Sequence, residues 1–323
     1  MKTLTSATGH PRAAAALIAV AALSLAGCAS PSAVESSTDG DSNPATEIEV
    51  THAQGTTTVP VNPETVITFD MASLDTLDAL GVEVAGFPQA NVPSYLESYA
   101  GDEYLDAGTL FEPDYEAVNA AEPDLIVVAN RSAEALAELN EIAPTIDLTL
   151  DWADYRGSFE NNVTTLGEIF EKQTEAESAL AEIDDKIVEA QEITADAGTG
   201  LVVMTSAGEV TAYGDDSRFG WLYTELGVET AVDNVEEATH GDPVSFEFLL
   251  ESDPDWLFVI DRDAAIGESG SSAEQVLDNE VVAGMTARSE DQIVYLDSEP
   301  WYIVMSGLTA VNDMVDQITE SLG

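Results

Sequence analysis

The sequence predicts an α/β protein of two lobes, each a mostly parallel sheet flanked by helices, joined by one long α-helix. Three observations carry this expectation. Short apolar runs alternate with amphipathic segments on both sides of the middle of the chain; a long periodic segment without Gly or Pro separates the two stretches; and a motif in the first stretch recurs in the second. With 323 residues, 45% of them hydrophobic, the chain is long enough to give each lobe its own core.

In the first stretch, segments 65–70 (TVITFD), 82–87, 124–130 (DLIVVAN) and 145–150 read as strands, with helical segments at 73–80, 115–121 and 132–142. Continuous apolar strands alternating with helices indicate a parallel sheet covered on both faces. Segments 159–171 and 174–193 then read as helices. In the second of these, Ala176, Leu180, Ile183, Ile187, Ala190 and Ile193 form one apolar stripe at spacings of three and four. Gly198-Thr199-Gly200 closes it. Alternation resumes with strands at 201–206, 210–213, 256–261 (WLFVID) and 293–296, and helices at 220–226, 246–251, 273–277 and 308–321. The expected organisation is a first lobe over 47–172, a connecting helix over 173–197 and a second lobe over 198–323.

Ahead of the lobes lies a targeting segment. Lys2 and Arg12 precede an apolar stretch, Ala13 to Ala26, too short to span a bilayer comfortably but suited to a signal-peptide core. Its end, Leu25-Ala26-Gly27-Cys28, resembles a bacterial lipobox. That resemblance implies a signal peptide over 1–27 and a lipid anchor on Cys28, held durably because several acyl chains are attached. Residues 28–46 are small, polar and acidic without periodicity and read as a flexible tether. Cys28 is the only cysteine, so no disulfide forms within the chain and the core must hold the fold.

There are 62 acidic residues against 9 basic, a formal net charge of -53. Such a surface repels nucleic acid and anionic lipid, so contact with the membrane is expected through the anchor only. The acids are scattered over helix faces and loops, as on a solvated surface, rather than clustered for cation binding.

The recurring motif is YEAVNAAEPDLIVVANR in the first lobe and FEFLLESDPDWLFVIDR in the second. Glu116, Pro123, Asp124 and Arg131 match Glu247, Pro254, Asp255 and Arg262 at one common offset of 131 residues. Each copy is a helix, a turn and an apolar strand ending in arginine. An arginine at the carboxyl end of a buried parallel strand points to the crevice where α/β sheets bind ligands. After residue 27 only five arginines remain: Arg131, Arg156, Arg218, Arg262 and Arg288. Arg218 lies in a strand-to-helix loop, Tyr213-Gly214-Asp215-Asp216-Ser217-Arg218-Phe219-Gly220. Arg131, Arg218 and Arg262 converging between the lobes would make a positive pocket in a negative protein, and a guanidinium meets carboxylate or catecholate oxygens in pairs. The competing reading gives each arginine a structural ion pair, and Arg156 and Arg288 fall to it.

The chain resembles the siderophore-binding branch of the periplasmic-binding-protein folds with a single connecting helix (class III, cluster A). The residues that carry this are LDTLDALG at 74–81, EPDLIV at 122–127, SRFG at 217–220, His240-Gly241 followed by VSFE at 244–247, VIDR at 259–262, and Trp301-Tyr302. The resemblance implies an extracytoplasmic lipoprotein, monomeric, that captures a ferric siderophore of catecholate or mixed citrate–catecholate (petrobactin) type. It delivers this to an ABC permease dimer with its ATPase subunits. Arg131, Arg218 and Arg262 would face the ligand; Trp301, Tyr302, Tyr213 or Phe219 could stack on chelator rings, Trp301 and Tyr302 being equally suited to the core; His240 would hydrogen-bond at the rim or brace its loop. Glu116 and Glu247 would dock one lobe each on the permease. No cofactor is implied, since the ligand is a preformed Fe(III) complex.

Other readings have less support. After residue 27 only His52 and His240 remain, too few for a nitrogen–sulfur metal site. Haem and cobalamin stay open as alternative ligands for the same fold. A hydrolase using Ser245 and His240 lacks a Gly-x-Ser-x-Gly elbow, so the expected protein is a binder and not an enzyme.

Overall fold

The computed structural model describes residues 46–232, 235 and 241–323. The signal segment, Cys28, nearly all of the tether and His240 lie outside the described residues. The described chain opens with an antiparallel hairpin, β1 (Glu47–His52) and β2 (Gly55–Pro60). The hairpin is pinned to the first lobe by Ala53 N donating to Asp147 O at 3.0 Å and Thr57 Oγ1 to Thr145 O at 3.1 Å.

Five parallel strands build the first lobe: β3 (Val66–Thr68), β4 (Gly86–Phe87), β5 (Leu105–Asp106), β6 (Leu125–Val128) and β7 (Thr145–Asp147), in the order β5-β4-β3-β6-β7. Val66, Ile67 and all of β6 are fully buried, as expected where helices cover both faces. The helix expected over 132–142 is instead a tight turn, Asn130–Ala135, followed by one helical turn, Leu136–Leu139. Asn130 has φ 48°. Ser132 Oγ accepts from Ala129 N and donates to Phe69 O, local side-chain bonds to backbone of the kind that compete with a regular helix.

The second sheet contains β8 (Thr199–Ser206), β9 (Glu209–Tyr213), β10 (Glu229–Thr230), β11 (Asp242–Val244), β12 (Trp256–Asp261) and β13 (Ile293–Leu296), in the order β11-β9-β8-β12-β13 with β10 beside β8. It is mixed. β12 is parallel to β8 and β13, whereas β9 is antiparallel to β8 and β11. The cause is local: Ala207 and Gly208 have φ 51° and 81°, a two-residue turn whose twist returns the chain as a hairpin.

Between the sheets runs the helix Gln173–Thr194, burying Ala176, Ile183, Ile187 and Ala190. It packs against the helix Tyr155–Ile169, and a Cβ on Gly167 would lie 2.9 Å from Ala176 Cβ, so the close approach needs glycine. The C-terminal helix Leu308–Leu322, which follows the second lobe in the chain, packs on the connecting helix and on the first-lobe helix Met71–Ala79. Asp75, fully buried in that first-lobe helix, accepts from Thr309 N at 2.8 Å and Ala310 N at 3.1 Å and so caps the C-terminal helix from the other lobe.

An aromatic column ties the lobes as well. Tyr155 stacks on Trp221 at 5.1 Å between centroids, and Trp221 on Trp301 at 5.3 Å. Tyr155 also donates to Met305 O at 2.6 Å.

The sequence repeat is a structural repeat. Helices Tyr115–Ala120 and Phe246–Ser252 precede β6 and β12, and the turn residues Glu122 and Asp253, 131 positions apart, both have positive φ. Asp124 accepts from Glu64 N and Thr65 N at the entry to β3; Asp255 accepts from Thr199 N at the start of β8. In both lobes the aspartate of the Pro-Asp pair joins its own strand to the neighbouring central strand.

Candidate functional site

Arg131 and Arg262 each sit in the first turn after a central parallel strand. Arg131 follows β6, in the turn Asn130–Ala135; Arg262 follows β12 and opens the short helix Arg262–Ala265, capped by Asp261 accepting from Ala264 N. Both therefore lie at the carboxyl edge of their sheets, where crevices form. Arg218 arrives from the loop between β9 and the helix Trp221–Thr224.

The three guanidinium groups meet at Tyr302. Its ring lies 5.5 Å from the Arg131 guanidinium carbon and 5.1 Å from that of Arg218, and its hydroxyl accepts from Arg262 Nε at 3.0 Å. Tyr302 is presented by a widened helical turn, Glu299–Val304, that has Pro300 as its second residue and ends at Met305 with φ 69°. Such wide turns recur at functional positions because they displace a side chain from regular helical placement.

Two of these arginines lack a carboxylate at ion-pair distance among the described residues. Among the described residues, Arg131 and Arg218 make no ion pair, and Arg262 has only Asp263 at 3.8 Å, while its Nη1 also donates to Ser206 Oγ at 3.2 Å. Arg156, by contrast, pairs with Glu160 and Asp184, the structural role expected for it. Arg218 is wrapped in rings, 4.9 Å from Phe219 and 5.7 Å from Tyr213. One of its amino groups makes only long contacts, to Tyr213 Oη at 3.5 Å and to Met204 Sδ at 3.7 Å, and among the described residues its buried Nε has no hydrogen-bond partner. Cation–π contacts of about 0.5–2 kcal/mol replace part of the lost hydration of this charge.

Two adjoining cavities of about 370 and 380 Å³ open here, sharing Met71, Leu110, Arg131 and Ile303. Their size is that of small-molecule sites. The first also reaches Arg218, Trp152 and Asp70; the second reaches Arg262, Tyr302 and Phe111. Burial raises the pKa of Asp70, opposed by its hydrogen bonds from Ser73 and Ala72 and by Arg131.

Several expected ligand contacts do not line the cavities. Trp301 is 1% exposed and sits in the aromatic column, with its Nε1 donating to Gln317 Oε1 at 2.9 Å. Tyr213 and Phe219 are buried behind Arg218 and hold that guanidinium. Their burial follows from positions in β9 and directly after Arg218, where the pattern alone does not distinguish a ring facing the cleft from one facing the core. Ser245 caps its helix by accepting from Phe248 N. Trp152, Phe111, Leu110 and Met71 line the cleft without having stood out in the sequence, because single apolar residues in loops and helix starts carry no periodic signal. Glu116 and Glu247 are both exposed in the first turns of the repeated helices.

Residues 66–300 match the periplasmic binding protein family model. The chain belongs to the periplasmic binding protein family. As a member of that substrate-binding family it is 40% identical to the petrobactin-binding protein YclQ of Bacillus subtilis over 269 residues, 82% of this chain and 84% of YclQ. The YclQ crystal structure superposes with a TM-score of 0.83, covering 85% of this chain and 98% of that one. A TroA-like periplasmic binding protein of Xylanimonas cellulosilytica is 46% identical, TM-score 0.77, over 82% of this chain and 91% of its own. The ferric-anguibactin-binding protein FatB of Vibrio anguillarum is 34% identical over 280 residues, 84% of this chain and 87% of FatB. Among the described residues of this periplasmic binding protein no helix is long and apolar enough to cross a membrane.

Proposed function

We propose that this periplasmic binding protein captures a ferric siderophore of catecholate or mixed citrate–catecholate type outside the cytoplasm and passes it to an ABC importer, without catalysing a reaction. The observation that carries this is the set of three guanidinium groups around Tyr302, two of them without a carboxylate partner among the described residues. A site that concentrates uncompensated cations and aromatic faces suits an anionic chelate whose iron is already wrapped in oxygens. Relatives named for petrobactin and ferric anguibactin support the same class.

Arg131, Arg218, Arg262 and Tyr302 are the proposed ligand contacts. Tyr213 and Phe219 position Arg218, and Trp301 belongs to the interlobe core. Removal of residues 1–27, lipidation of Cys28 and a tether over 28–46 would hold the monomer at the outer face of the membrane. Glu116 and Glu247 would engage the two halves of a permease dimer served by ATPase subunits, one carboxylate per lobe.

The test is a titration of tryptophan fluorescence, with Trp152 in the cleft wall as reporter, against iron-loaded and iron-free siderophores. Iron-loaded anionic complexes should bind, and Arg218→Ala should weaken them at least tenfold, on the order of 1.4 kcal/mol. Equal affinity in the variant would remove the basis of the proposal.

A further inference from the structure

Phe111 is 73% exposed, more than any other large hydrophobic side chain among the described residues. It stands at the cleft, lining the same cavity as Arg131, Arg262 and Tyr302. An exposed phenyl ring forgoes roughly 1.5–3 kcal/mol that burial would supply, which makes its position worth explaining.

The loop that carries it is tightly tied. Thr109 N donates to Glu112 O at 3.0 Å, and Thr109 Oγ1 accepts from Phe111 N at 3.3 Å and Glu112 N at 2.9 Å. Asp114 N donates to Ala107 O at 2.8 Å. Gly108 has φ 101°, and a Cβ there would come within 2.6 Å of Asp114 N. The turn thus closes on itself around a glycine that no other residue replaces without strain, and it holds Phe111 out from the first lobe. Across the same cavity, Tyr302, Ile303 and Ile266 come from the second lobe. The cavity therefore has an aromatic residue from each lobe and two guanidinium groups on its walls.

From this arrangement we infer that Phe111 is a specificity-determining residue that selects ferric chelates carrying an aryl ring. The inference rests on the proposed function. A catecholate or phenolate ring has both properties the cavity is built for: a face to stack on Phe111, worth about 0.5–1.5 kcal/mol beyond the area it covers, and anionic oxygens at its edge for Arg131 and Arg262. A chelate of aliphatic carboxylates and hydroxyls satisfies the arginines but leaves the phenyl ring in water.

The experiment compares wild type with Phe111→Ala, Phe111→Leu, Phe111→Trp and Arg218→Ala, titrated with the ferric complex of 2,3-dihydroxybenzoate and with ferric citrate. Phe111→Ala should weaken the aryl complex about tenfold, ~1.4 kcal/mol. Phe111→Trp should restore it and Phe111→Leu should not, because leucine supplies apolar area without a ring. Ferric citrate should change less than about twofold in all three Phe111 variants or show no binding throughout. The inference is overturned if Phe111→Ala binds the aryl complex as wild type does, if Phe111→Leu restores it fully, or if both complexes weaken alike. In those cases loss of aryl binding in Arg218→Ala would leave the siderophore reading standing. A wild type that binds neither complex overturns both.

Discussion

Arg262 donates through Nε to the hydroxyl of Tyr302 at 3.0 Å, and this one bond fixes the ring on which the other two arginines of the cleft are arranged. The guanidiniums of Arg131 and Arg218 lie 5.5 and 5.1 Å from that ring. A phenol thus organises three like charges that would otherwise repel one another, by offering one of them an acceptor and two of them a π face.

Tyr302→Phe keeps the ring and removes the acceptor. We expect affinity for an anionic ferric complex to fall about tenfold, ~1.4 kcal/mol, close to the lower bound of about 1.5 kcal/mol for a hydrogen bond to a charged group. Tyr302→Ala, which also removes the platform under Arg131 and Arg218, should lose several-fold more. Titrations that find the two variants equal to wild type would show that the arginines need no such support.

Arg218 should trade stability for binding. Its buried Nε has no partner among the described residues, so replacing Arg218 with an uncharged side chain of similar length removes a partly desolvated charge. Arg218→Met is expected to unfold at the same temperature as wild type or higher, while binding drops tenfold or more. A large fall in melting temperature would mean that the guanidinium is structural.

Salt should act in an unusual direction. With 62 acidic and 9 basic residues, the protein repels an anion at long range and attracts it only inside the cleft. The Debye length is about 8 Å at physiological salt, so added salt screens the distant repulsion more than the contacts. The association rate for an anionic complex should rise between about 0.02 and 0.5 M salt. Stopped-flow rates that fall across this range would indicate steering by the arginines instead.

Asp75 should make stability depend on pH. Burial pushes its pKa up to about 7, opposed by its hydrogen bonds from Tyr95, Thr309 and Ala310 and reinforced by Asp313; Glu299 lies near Tyr95 as well. The unfolded value is about 3.9. Below that the carboxyl is neutral in both states. Between the two values the folded protein keeps a proton that the unfolded chain releases, so this group's contribution is lost as pH rises, by an amount on the order of 4 kcal/mol, and levels off above about 7. Denaturant unfolding of wild type and Asp75→Asn across this range should give a difference curve with that slope. Parallel curves would mean that Asp75 is ionised throughout.

Glu116→Ala combined with Glu247→Ala should leave siderophore affinity and melting temperature near wild type, since both side chains are exposed. Transport by the assembled importer should fall sharply. Normal uptake would reject their docking role.

Strand and helix order could be read along the chain because apolar periodicity is a local property. The runs at 256–261 and 293–296 coincide with β12 and β13, and the stripe over 174–193 with the helix Gln173–Thr194. The repeat of Glu, Pro-Asp and Arg was legible for the same reason, and it located two of the three cleft arginines. Less visible were β5, β10 and β11, of two or three residues each, which neighbouring strands hold by bonding to them, while the strand expected over 82–87 is only Gly86–Phe87.

The sequence by itself determined the two α/β lobes, the helix between them and the scarcity of cations that makes Arg131, Arg218 and Arg262 conspicuous. Only the tertiary structure decided which rings face the cleft. Trp301 and Tyr302 are neighbours in the chain, yet one packs into the core between the lobes and the other stands among the arginines, because a widened turn points successive side chains in different directions. It also decided that the C-terminal helix is capped by Asp75 from the opposite lobe. A contact between residues more than two hundred positions apart depends on how the lobes meet, and no local pattern encodes that.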